Sequence, residues 1–197
     1  MTSSMRNVCA GVLTLVISAA AYADCSCKAA AKADGWCKDC KVGFFSGVKV
    51  KSEQLHKALQ GEAVKADKMS CSGCKEALAK STACCGKNFA GEKAYGSPVA
   101  AKIARGKVVN AKEVKCGGCK DALKSNGWCK GCKEGAVAGR FFAAKVLYTA
   151  AKEAYGVLVK ANKASAKCGD CAVAMVTDGD CSGCKVSFKD GKLVKKS

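Results

Sequence analysis

Histidine and proline are almost missing from this chain of 197 residues, which has one of each, His56 and Pro98. A single histidine excludes centres built on several imidazoles. It also leaves at most one base for any Ser–His–Asp or Cys–His–Asn set, so no enzymatic activity is expected. Aromatic residues make up only 6%, and alanine and cysteine supply much of the 49% apolar content. A large interlocked core of Leu, Ile and Phe is therefore not expected, and something besides burial has to hold the fold. No Asn-x-Ser/Thr sequon occurs, and nothing else points to glycosylation. Past residue 23 there is no long hydrophobic run. The most apolar stretch, residues 136–159, is broken by Arg140, Lys145, Lys152 and Glu153, whereas a membrane span needs about 20 unbroken apolar residues. Acidic residues are also in deficit, 16 against 34 Lys and Arg.

Cysteine is abundant, with 17 residues, a fraction found in small disulfide-rich or metal-rich scaffolds. The first of them, Cys9, falls in residues 1–23, which read as a secretory signal: Arg6, then an apolar stretch over residues 8–20, then Ala21-Tyr22-Ala23 as an A-x-A cleavage site before Asp24. Cleavage near Ala23 predicts an exported chain, periplasmic or extracellular, that keeps 16 of the cysteines. No lipoprotein pattern precedes Cys25.

Those 16 cysteines fall into four groups, each made of two parts separated by nine residues. Cys25 and Cys27 precede Cys37 and Cys40; Cys71 and Cys74 precede Cys84 and Cys85; Cys116 and Cys119 precede Cys129 and Cys132; Cys168 and Cys171 precede Cys181 and Cys184. Such self-similarity marks a chain built by duplication. It divides the mature sequence into repeats at 24–61, 71–106, 116–163 and 168–197. Gly47, Gly139 and Gly191 each lie seven residues after the last cysteine of their group, and Gly91 lies seven after Cys84. A helix is expected next. In the first repeat Ser52 caps it, Leu55 and Leu59 pair, and Gly61 stops it. In the second, Ser97-Pro98 opens it, Val99 and Ile103 share a face, and Gly106 ends it. A longer helix is expected over 141–163 in the third, and none after the fourth. The short helices cannot persist alone and must pack on neighbouring units.

The spacing points to metal. In C-x2-C two thiolates sit on one tight turn and can fill two corners of a tetrahedron, and a second such knuckle across a hairpin supplies the others. Structural zinc held this way contributes on the order of 10 kcal/mol to folding, which would offset the poor core. The pattern resembles the zinc ribbon, particularly tandem or double zinc-ribbon modules. The likeness is closest in residues 168–192, with Thr177-Asp178-Gly179 at the hairpin, and residues 116–132 also fit. It covers the cysteine segments and not the helices between them. It implies zinc-stabilised hairpins that serve structure or partner binding, and an α+β fold of four small units connected by α-helices. Two groups depart from the pattern. The first begins Cys-x-Cys, with Asp24 where the outer cysteine would stand, and the second ends Cys84-Cys85, with Lys87 where a fourth ligand is expected. Two to four ions are expected, zinc or another thiophilic ion such as iron, Cd2+ or Cu+.

Other readings of the cysteines stay open. Disulfides are natural in an exported chain, although closing a four-residue loop contributes only about 2 kcal/mol and strains the ring. Trp36-Cys37-Lys38-Asp39-Cys40 and Trp128-Cys129-Lys130-Gly131-Cys132 look like thioredoxin sites, but each lies inside a quartet and outside a βαβ context. C-x-x-C-His for haem attachment is absent, and C-x-x-C-Lys with a single histidine in the chain lacks axial ligands. His56 reads as a surface or interfacial histidine. Without Arg6 the chain is formally +17; four thiolate-bound divalent ions, each a net −2, would bring it to about +9. Lysines beside the knuckles would neutralise the thiolates. Only Arg105 and Arg140 remain as arginines, which argues against nucleic acid and for an anionic envelope surface or another protein as partner. The expected roles are a structural or interaction module and, as alternatives, a metal buffer or resistance protein or a thiol-redox protein.

Overall fold

The computed structural model describes residues 27–196. The segment read as a signal, residues 1–23, and Cys25 lie outside the described residues. The architecture is α+β and repeats one unit four times: a short helix, a three-stranded antiparallel meander, and a linking helix that the last unit lacks. The first unit runs α1 (Cys27–Lys32), β1 (Trp36–Cys37), β2 (Val42–Phe45), β3 (Val48–Val50) and α2 (Glu53–Leu59). The second has β4 (Gly61–Ala63), α3 (Ser72–Lys80), β5 (Ala83–Cys84), β6 (Lys87–Ala90), β7 (Lys93–Tyr95) and α4 (Pro98–Ala104). The third has β8 (Lys107–Val108), α5 (Gly117–Ser125), β9 (Trp128–Cys129), β10 (Glu134–Val137), β11 (Arg140–Phe142) and α6 (Lys145–Ala164). The fourth has α7 (Gly169–Thr177), β12 (Asp180–Cys181), β13 (Val186–Lys189) and β14 (Lys192–Lys196). In the middle two units β4 and β8 add a fourth strand, β4 beside β7 and β8 beside β11.

The linking helices form where caps and spacing called for them. Ser52 accepts a bond from the Leu55 amide, and Ser97 accepts from Ala100, with Pro98 in the first turn. Leu55, Leu59, Val99 and Ile103 are all buried. The third helix starts later than the pattern predicts. Phe141 and Phe142 lie in β11, where pairing with Ala136 and Gly135 buries both rings, and the helix begins at Lys145. The recurrent glycines mark turns: Ser46-Gly47, Ala138-Gly139 and Asp190-Gly191 all have positive φ in two-residue hairpin loops, the conformation that suits the twist of paired strands.

One core receives residues from every unit: Leu55 and Leu59 from α2, Val99 and Ile103 from α4, Ala154, Leu158 and Ala161 from α6, Ala172 and Val176 from α7. Alanines at the crossings let the helices approach closely. Ser97 stitches this centre, its hydroxyl donating to the Val176 carbonyl at 2.6 Å while it caps α4. The cysteine units keep smaller clusters of their own outside this core.

The main difference from the sequence reading lies between the two halves of each cysteine group. The structure has a helix there and not a hairpin. α3, α5 and α7 occupy the interval and end in a left-handed residue, Ser81, Asn126 or Asp178. Thr177-Asp178-Gly179 is thus a helix end. Helix-forming Lys, Ala and Leu fill α3 and α5, Ala and Met stand in α7, and the Asn and Asp that end α5 and α7 tolerate the left-handed cap.

Candidate metal centres

Each group is built from one helix start and one tight hairpin. Cys71, Cys116 and Cys168 are the N-caps of α3, α5 and α7, and Cys74, Cys119 and Cys171 lie in the first turns of those helices. Cys84, Cys129 and Cys181 end the first strands of the meanders. Cys132 and Cys184 follow in the turn toward the next strand. The ligand atoms of Cys71, Cys74, Cys84 and Cys85 all lie within 4.8 Å of one another, and so do those of Cys116, Cys119, Cys129 and Cys132 and those of Cys168, Cys171, Cys181 and Cys184. In the first group Cys27, Cys37 and Cys40 converge in the same way; its expected fourth ligand, Cys25, is outside the described residues.

The separations carry chemical information. Cys71–Cys85 is 3.9 Å, Cys84–Cys85 3.6 Å, Cys116–Cys129 3.9 Å, Cys168–Cys181 3.7 Å and Cys168–Cys184 3.8 Å between sulfurs. Four sulfurs about 2.3 Å from a central ion stand about 3.8 Å apart along the edges of the tetrahedron. A disulfide would bring two of them to about 2.05 Å. The twelve cysteines of the last three groups are thiols in this structure.

The helix starts favour the anionic form of the outer cysteine. The amide of Cys171 donates to Cys168 Sγ at 3.4 Å. The backbone bond from the following cysteine is the largest influence holding Cys71, Cys116 and Cys168 down to about 7, and neighbouring thiols add to it. The inner cysteines move the other way. Contact with Cys84, then burial, pushes Cys74 up to about 12. Burial raises Cys119, and contact with Cys181 raises Cys171. Each of the last three groups thus pairs one outer cysteine held toward the thiolate with thiols that donate to it, at the start of a helix. In the turn after the strand, the Cys132 amide points at Cys129 Sγ from 3.5 Å. Gly118 is needed for space, since a Cβ there would stand 2.9 Å from Cys129 Sγ.

The second group departs as its sequence does, but it still gathers four sulfurs. Its hairpin is two residues shorter, and Cys85 takes the first of its two turn positions in a left-handed conformation (φ 51°), while Gly86 (φ 72°) stands where Lys41, Lys133 and Lys185 stand in the other units. Adjacent cysteines therefore reach one centre because the turn, not the strand, carries the second. Lys87 is no ligand position; it pairs with Glu62 at 3.3 Å.

Supporting residues escaped the sequence reading. Asp34, Asn126 and Asp178 each accept a bond at 2.7 Å from a hairpin-turn amide, that of Ser46, Ala138 and Asp190 respectively. They brace the meander that carries the second half of each group. Their signal was an Asn or Asp three residues before the second cysteine pair. His56 is buried, not superficial. Its Nε2 lies 3.0 Å from the Asp34 carbonyl and 3.1 Å from that of Phe44, against Trp36. Tyr148 takes the same place in the third unit, its hydroxyl donating to the Asn126 carbonyl beside Trp128.

No family model, no curated protein and no solved structure matches this chain. The fold and the sulfur geometry define the class: a cysteine-rich α+β protein whose cysteines gather in groups able to hold metal ions. No helix among the described residues is long and apolar enough to cross a membrane.

Proposed function

We propose that this is an exported, non-enzymatic protein that holds zinc, or a similar thiophilic ion, in tandem four-cysteine sites, mainly to stabilise itself as a structural or interaction module. The observation that carries this reading is the gathering of four sulfurs within 4.8 Å of one another in each of the last three groups, the nearest of them 3.6–3.9 Å apart, close to the edge of a tetrahedral tetrathiolate. The donors are all soft sulfurs, the set that suits zinc, Cu+ or iron over Mg2+ or Ca2+. The likeness to tandem zinc ribbons holds for the ligands and not for the scaffold, since a helix start replaces one knuckle. Export would set the lysine-rich surface against anionic envelope polymers. A buffer that takes up ions reversibly is favoured at one place, the second group, where Cys84 is partly exposed while Cys37, Cys129 and Cys181 are buried.

Native mass spectrometry of the mature chain, before and after chelation, tests the reading. Mass increments of one ion per occupied group, lost with chelator together with near-native circular dichroism, are expected. A metal-free, folded chain lighter by two hydrogens per cysteine pair would overturn it in favour of disulfides.

A further inference from the structure

The second group differs from the others in two ways that concern its ligands. Cys84 is partly exposed where its counterparts are buried, and Cys85, exposed like Cys40, Cys132 and Cys184, is the one described cysteine with a positive φ. Cys85 sits in a left-handed turn conformation with Gly86, which a residue with a Cβ adopts at a cost. A groove of about 260 Å³ opens beside the group and is lined in part by Cys71 and Cys74. Its apolar wall includes Met69 and Phe89, and two exposed lysines, Lys68 and Lys87, border it. Lys87 already has Glu62 as a neighbour at 3.3 Å, so Lys68 is the cation open to a ligand.

We propose that the second group is an exchange site, where the protein receives and releases its ion by ligand exchange with small anionic thiols seated in this groove. The proposal rests on the reading of the groups as metal sites. Such a thiol suits the groove on three counts: sulfur for the ion, an aliphatic body for the Met69 and Phe89 wall, and a carboxylate for Lys68. In the exchange step the incoming thiol releases its proton to solvent and its sulfur bonds to the ion. The bond from the ion to Cys85 Sγ breaks, and that sulfur takes a proton from solvent. No electron is transferred. Cys85 is the ligand that leaves because, alone among the described cysteines, it is held in the costly left-handed conformation. The remaining groups, whose second strands bury Cys37, Cys129 and Cys181, keep their ions.

The test uses the full-length mature chain loaded with zinc, challenged with isotopically enriched zinc in the presence of reduced glutathione and followed by native mass spectrometry. One ion per chain should exchange about ten-fold faster than the rest. Cys85→Ser should remove that fast phase. Lys68→Glu, an exposed position, should slow the glutathione-driven phase while leaving exchange driven by uncharged mercaptoethanol unchanged. Exchange of all ions at one rate, or a fast phase that survives Cys85→Ser, would sink the exchange proposal while the metal sites stand. Equal slowing with both thiols in Lys68→Glu would sink the groove as the thiol's seat. A chain that takes up no zinc would sink the reading of the groups as metal sites, and this proposal with it.

Discussion

Zinc uptake by the metal-free chain should release a number of protons that depends on pH in a way set by the helix starts. Cys71, Cys116 and Cys168 are held down to about 7. At about pH 6 each is about one-tenth ionised and at about pH 8 about nine-tenths. Each of these cysteines therefore surrenders about 0.9 proton per ion in the acid condition and about 0.1 in the alkaline one, a drop of about 0.8 per group and about 2.4 over three groups. Without the helix, a thiol at the ordinary value of 9.0 would shift the count by only about 0.1 per group over the same range. The sign follows directly. The ion binds thiolates, so affinity falls as pH falls, and the fall steepens by one proton per group once pH passes below about 7. The same depression stabilises the metal-free fold; that contribution is complete above the unfolded value and is lost as pH falls through the folded one. Calorimetric titration in buffers of different ionisation enthalpy counts the protons. A count that does not change between the two conditions would mean that the metal-free thiols are not capped by helices, and would refute the preorganised geometry.

Three further outcomes concern the scaffold and can be read by denaturant unfolding of the metal-loaded chain. Leu158→Ala, at a fully buried position in the shared core, should cost about 2–5 kcal/mol. Ser97→Ala removes the cap of α4 and strips the Val176 carbonyl of its buried donor, so a loss of about 1–3 kcal/mol is expected. Gly135→Ala would drive a Cβ into the Tyr148 ring, cost about 1–3 kcal/mol, and show as a change in tyrosine and tryptophan fluorescence from the Trp128–Tyr148 pair.

The cysteine spacing made the candidate sites legible because ligand sets are counted along the chain. All fifteen described cysteines of the four groups fall where that counting placed them. The linking helices were legible from their caps, Ser52 and Ser97, and from paired Leu or Val and Ile. The helices inside the cysteine intervals were not. α5 is only nine residues, too short for a periodic apolar stripe, and the zinc-ribbon likeness already assigned that interval to a hairpin. His56 was misplaced because its burial comes from Trp36 across the meander and from two carbonyls, contacts that a single sequence does not display. The equivalence of His56 and Tyr148 emerges only when both are seen bonded to the same backbone position, Asp34 in one unit and Asn126 in the other.

Two sources of stability are arranged side by side in this fold, and their separation bears on function. The shared core is made by the linking helices, by α7 and by strand residues of the first two meanders, Phe45, Val50, Ala90 and Tyr95, whereas the cysteines of the first three units lie in small clusters with a few neighbours, such as Cys119, Ala122, Cys129, Ala136 and Phe141 in the third. An ion bound in one group would order its helix start and meander directly, and would reach the core through the linking helix and, in the first two units, through the strands that carry Val50 and Ala90. Release from the second group would loosen α3 and the β5–β6 turn while Val99 and Ile103 of α4 stay buried among Leu158 and Val176. The fourth unit is the exception. Val176 and Ala172 belong to α7, the helix whose start carries Cys168 and Cys171, so loss of that ion acts on the core itself. The arrangement thus couples the fourth group most closely to the fold, since its ligand helix is itself part of the shared core.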